Sequence, residues 1–207
     1  MRFAPVLALS LLALACSDGT GPSIGLPVGT MSVWYDAPGA GGENSMHATG
    51  ELSLDDGRVR ASGFAAAGQN AKLPGKLTIV GFTPLAEDGS QNGRIFAVTI
   101  PAAGGARTVP ILDGCAGPDC SATLFFNGVD ADDPHREVDP RVDRACALTS
   151  GSVVITEHTE RRVQGTFYGT GYCVFDNRTD PFTQFVVDSA TFDAPIDLRY
   201  RPPIDIR

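Results

Sequence analysis

A chain of 207 residues with 24 Asp and Glu against 16 Lys and Arg carries a formal charge of −8, which excludes polyanions such as nucleic acid as its partners. Its 24 glycines and 15 prolines, with no sustained 3.6-residue apolar period past the first 15 positions, exclude a helical bundle. Val, Ile, Leu and Phe recur in alternating runs throughout, which excludes a wholly disordered chain and predicts a single all-β domain.

Met1-Arg2 opens the chain with one positive charge, and residues 3–14 are apolar apart from Pro5 and Ser10. About a dozen such residues fall short of the roughly 20 that a membrane-spanning helix needs, so 1–15 reads as a signal peptide. Leu12-Ala13-Leu14-Ala15-Cys16 resembles the lipobox of bacterial lipoproteins, in which the cysteine becomes the acylated first residue; Ala13 stands where that family has leucine. The resemblance implies lipidation of Cys16, and Ser17 after it implies sorting to the outer membrane. Ala13-Leu14-Ala15 also fits ordinary signal cleavage, whose product would be periplasmic or secreted. Cysteine parity favours the lipid: five cysteines would leave an odd thiol in an oxidising compartment, and acylating Cys16 leaves four. Residues 16–29, rich in Gly, Ser, Thr and Pro, then read as a flexible tether between the membrane and a domain over 30–200, with 201–207 as a tail. After loss of Arg2 the mature chain carries 15 basic against 24 acidic side chains, a formal charge of −9.

Within the domain, 30–35 places Met31, Val33 and Tyr35 on one strand face, and Pro38-Gly39-Ala40-Gly41-Gly42 ends the run. Alternation over 46–54, the turn residues Asp55-Asp56-Gly57 and the run 58–64 predict a hairpin. Further strands are expected at 76–83, 94–100, 108–112 and 122–126, with the polar segment 84–93 as an exposed turn. Residues 152–156 and 163–168 flank a turn at 158–161, and 184–187 and 190–196 complete the set. About nine or ten strands predict an antiparallel β-sandwich, with a lipocalin-like closed barrel as the alternative. Gly151-Ser152-Val153-Val154-Ile155-Thr156, Arg162-Val163-Gln164-Gly165-Thr166-Phe167 and Ala190-Thr191-Phe192-Asp193 are similar to the carboxy-terminal strands of uncharacterised bacterial lipoproteins, over about a quarter of the chain.

A hairpin centred on 158–161 pairs residues whose numbers sum to 319. Thr156 then faces Val163, Val154 faces Gly165 and Cys146 faces Cys173, with Cβ atoms about 4.5–5.5 Å apart. A Cys146–Cys173 disulfide is therefore expected, with Cys115–Cys120 closing the loop between them. Four-cysteine zinc is the competing reading, against which stand the missing C-x-x-C knuckles.

Asp130, Asp132 and Asp133 are weak candidates for a Ca²⁺ site, since Pro134 falls where an EF-hand loop places a ligand and Arg136, Arg141 and Arg144 interleave with the acids. His47, His135 and His158 stand outside any H-E-x-x-H helix, and no G-x-S-x-G elbow occurs, so no catalytic residue and no cofactor are expected. Trp34, Tyr35, Phe125, Phe126, Tyr168, Tyr172 and Phe182 are candidates for a sugar-binding or apolar cleft, against the simpler reading as core. The function expected is a membrane-anchored, non-enzymatic envelope, structural or recognition domain with a protein or glycan partner. A lipocalin-like carrier of a small apolar ligand is the first alternative and a secreted hydrolase the second.

Overall fold

Alternation builds most of this sheet, and β1 (Gly29–Asp36) shows how: Met31, Val33 and Tyr35 are buried while Thr30, Trp34 and Asp36 face water. The computed structural model describes residues 27–36, 45–55, 58–60, 63–84, 93–113, 115, 117, 119–127, 144–174, 182–200 and 202. Beyond β1 these form β2 (Ser45–Gly50), β3 (Ser53–Asp55), β4 (Arg58–Arg60), β5 (Phe64–Gln69), β6 (Lys76–Thr83), β7 (Arg94–Pro101), β8 (Arg107–Leu112), β9 (Ala122–Asn127), β10 (Arg144–His158), β11 (Arg162–Val174) and β12 (Phe182–Pro195).

Ten strands make one antiparallel sheet, nine in the order β2-β1-β12-β11-β10-β9-β7-β6-β5 and the tenth, β8, paired with β10, while β3 and β4 form a separate hairpin. The 15-residue β10 is long enough to hold β9 along residues 144–146 and β8 along 150–155. The sheet curls until its ends nearly meet. Ala67 of β5 bridges Ile196 in parallel, the Asp197 N–H donates to the Ala67 carbonyl at 2.9 Å, and Arg94 Nη1 donates to the Ser45 carbonyl at 2.9 Å. The domain is thus all-β and antiparallel as expected, its two halves facing one another and its sheet nearly closed into the barrel held as the alternative.

Between the halves lie the side chains that hold them together. Phe96 lies 5.1 Å from Phe167 and 5.6 Å from Phe125, ring centroid to centroid, and Phe125 stacks on Phe185 at 5.7 Å. Met31, Val33, Ile79, Val98, Ile100, Ile111, Leu148, Val153 and Ile155 complete this core. A smaller cluster of Leu52, Phe64, Ala66, Val80, Phe82, Ala97 and Tyr200 covers the other side of β5–β6–β7, which is therefore buried on both faces.

Several local expectations require correction. The run 46–54 divides into β2 and β3, and 58–64 into β4 and the start of β5. The breaks fall at Gly50 (φ 142°) and Gly63 (φ 100°), where a Cβ on Gly50 would sit 2.3 Å from the Gly63 carbonyl oxygen. The Ala-rich β5 had no alternation to announce it. Its small residues serve a crossing: a Cβ on Gly68 would lie 2.4 Å from the carbonyl oxygen of Tyr200, so only glycine lets the carboxy-terminal segment lie this close. Runs 184–187 and 190–196 are one strand, β12, interrupted by a bulge rather than by a turn.

The β10–β11 register also differs near its turn. Val163 faces His158 rather than Thr156, and Gly165 faces Ile155 rather than Val154. Two irregularities on β10, at Thr149 and Thr156, each add a residue, so the sum of facing numbers falls from 321 beside the turn to 319 at the disulfide. Cys146 accordingly faces Cys173, and the two are bonded in the buried core.

Candidate functional site

Opposite the core, the outer face of β2, β1, β12, β11 and β10 is lined by Ser, Thr and a few large rings. Strict alternation on β11 sends Val163, Phe167 and Cys173 inward and Thr166, Tyr168, Thr170 and Tyr172 outward. Trp34 is 42% exposed, Tyr168 52% and Tyr172 51%, whereas Tyr35 and Phe125 are buried in the core. The aromatic set read from the sequence therefore divides: Tyr35 and Phe125 pack, and Trp34, Tyr168 and Tyr172 face solvent. Phe126 and Phe182 belong to β9 and β12, and their side chains lie outside the described part.

Register gathers two of the rings into one row. Trp34 pairs Ser45 on one side and Ser189 on the other; Tyr168 lies across β12 from it, next to Ser152 and, beyond, Pro110. The β12 bulge sits in this row. Between Val187 and Ala190, both inward, the consecutive Asp188 and Ser189 both point out, placing a carboxylate and a hydroxyl between the rings of Trp34 and Tyr168. At about 4.8 Å per strand the rings stand on the order of 10 Å apart. Tyr172, four residues further along β11, adds a ring about 14 Å beyond Tyr168. His47 supports Trp34 edge-on at 5.4 Å, and its Nδ1 is 3.1 Å from the Ser32 hydroxyl. Ser150 and Thr170 hydroxyls share a hydrogen bond at 2.9 Å on the same face.

The Asp188-Ser189 bulge was not read from the sequence, although a signal existed: the apolar phase of β12 slips between Val187 and Ala190, three positions apart where alternation requires two or four. A second unread feature is Lys76, buried at the head of an apolar strand. Its Nζ donates to the Cys120 carbonyl and lies 3.9 Å from Cys115 Sγ; burial pulls its pKa below the ordinary lysine value, with the Asp119 charge opposing. Lys76 thus pins the Cys115–Cys120 loop to β6, and that pair is bonded as expected. Two disulfides fit an oxidising, extracytoplasmic compartment.

His158 is half-buried where β10 ends, against the β7–β8 turn that Arg107 staples by donating to the carbonyls of Gly104 and Pro101. Its Nδ1 is buried without a hydrogen-bond partner. Burial first, then the Arg107 charge, hold its pKa below the ordinary value of about 6.5, against a backbone contact with Ala103. Because the fold prefers the neutral ring, the unfolded chain binds a proton first, and stability falls as pH drops below that ordinary value until the folded ring also protonates. We expect His158→Gln to remove about 1–3 °C of the melting-temperature difference between pH 7.5 and pH 5; differential scanning fluorimetry at the two pH values reads this directly.

Cys16, His135 and the acidic positions Asp130, Asp132 and Asp133 lie outside the described residues. Among the described residues no group of three His, Cys, Asp or Glu side chains is placed to hold a metal ion. No protein-family model, curated protein or solved structure matches the chain.

Proposed function

We propose that this chain is an exported recognition domain, tethered to the outer membrane through lipid on Cys16, which binds its partner on the outer face of β1, β12 and β11 without catalysing a reaction. The observation that carries this reading is the row of Trp34, Asp188-Ser189 and Tyr168: large rings left in water on a domain that buries Phe64, Phe82, Phe96, Phe125, Phe167, Phe185 and Phe192. Exposed rings forfeit the apolar transfer free energy that burial supplies, about 1.5–3 kcal/mol for a large side chain, and a binding face is where that loss is recovered. The interior offers less to a ligand, since the phenyl rings of Phe96, Phe125, Phe167 and Phe185 occupy its centre.

Gly29 belongs to β1, which leaves the 13 residues 16–28 as the tether that lets the domain stand clear of the membrane while the acyl chains hold it there. Growth of producing cells with a clickable fatty acid, followed by capture of the protein, tests the anchor. Wild type is expected to carry the label and Cys16→Ala to lose it and leave the membrane fraction. An unlabelled wild-type protein would refute the tether.

A further inference from the structure

We infer that the partner is a neutral polysaccharide chain, lying across the strands with sugar rings stacked on Trp34 and Tyr168. The inference rests on the recognition reading above and names its ligand. A pyranose presents an apolar face of C–H groups and an edge of hydroxyls, so its receptor must offer flat rings beside short polar groups. That is what the row provides: Trp34, then Asp188 and Ser189 from the bulge, then Tyr168. The two rings, about 10 Å apart, match sugars two positions apart on a chain, a separation that the two sugars of a disaccharide fall short of, and the carboxylate between them accepts hydrogen bonds from sugar hydroxyls.

Charge narrows the glycan. Lys and Arg are absent from β1, β2 and β12, and Arg162, at the first residue of β11, is ion-paired with Asp193. Asp36 and Asp188 are exposed on the same face. A face with acids and, among the described residues, no unpaired guanidinium or ammonium in its middle repels uronates and sulfated sugars and accepts uncharged ones. Its centre is also unlike a protein-docking face, whose core is depleted of Asp and Ser.

Trp34 is the only tryptophan of the chain, so its emission reports on the site without any label. The full chain is to be titrated with cellohexaose, chitohexaose, xylohexaose and maltohexaose, and with polygalacturonate as the anionic contrast. At least one neutral hexasaccharide is expected to shift Trp34 emission to shorter wavelength saturably, and to bind about tenfold more tightly than its disaccharide, which reaches a single ring. Tyr168→Ala keeps the reporter and should weaken binding by about tenfold, with the melting temperature held because the side chain is exposed. If no neutral sugar moves the emission, or polygalacturonate binds as well as they do, the assignment is overturned. A photoreactive residue at Thr170 in producing cells then separates the two failures. Crosslinks to envelope proteins alone sink the glycan and leave the recognition reading standing, whereas neither sugar binding nor crosslinks sinks both.

Discussion

Cys146→Ala with Cys173→Ala is expected to lower the unfolding free energy by about 3–4 kcal/mol, the chain-entropy value for a loop with a sequence separation of 27. Alanine at both positions avoids leaving buried hydroxyls without partners, since Cys146 and Cys173 are both buried. The same change at Cys115 and Cys120, whose bond closes a separation of 5, is expected to cost about 2 kcal/mol. Urea unfolding followed by circular dichroism compares the two variants with wild type. Equal losses would show that loop length does not govern these crosslinks; a loss below about 1 kcal/mol at Cys146–Cys173 would show that the long β10–β11 ladder already restrains the unfolded chain. Tyr172 precedes Cys173, so the long-loop variant should also loosen the outer face at that end while leaving Trp34, two strands away, unaffected.

That disulfide was legible for an instructive reason. A hairpin assumed regular from its turn placed Cys146 opposite Cys173, and the structure agrees, yet the register beside the turn is displaced by two and the extra residues at Thr149 and Thr156 cancel the displacement. Polar residues at both positions conceal the bulges, because Thr is as acceptable in a regular strand as in an irregular one. Strand existence was legible wherever alternation is strict, as in β1, β8 and β11, since the period of two is a direct image of one wet and one dry face. It failed at β5, where both faces are covered and the requirement is small volume instead of alternation: Ala65 and Ala67 face the main core, while Ala66 and Gly68 face the segment carrying Tyr200. The candidate site was half legible. The ring residues were visible as a composition, but which of them are wet depends on strand phase, and the pairing of Trp34 with Tyr168 depends on β12 lying between them, a topological fact without a local signature.

Phe96→Ala is expected to cost about 3–5 kcal/mol, the range for removing a buried phenyl group and leaving a cavity. Phe96 is fully buried, and its ring meets those of Phe125, Phe167 and Phe185, contributed by β9, β11 and β12, so its removal loosens contacts from both halves of the curled sheet at once. The variant bears on function as well as stability. A side chain at the centre of a filled interior has no water or ligand to replace it, so the full loss should appear, and the variant should gain affinity for a small apolar molecule such as benzene that wild type lacks. Calorimetric unfolding with and without benzene reads both effects. A loss under about 1.5 kcal/mol, with wild type already stabilised by the apolar ligand, would mean that the interior holds spare room, and would move the binding site from the outer face around Trp34 to the inside of the barrel.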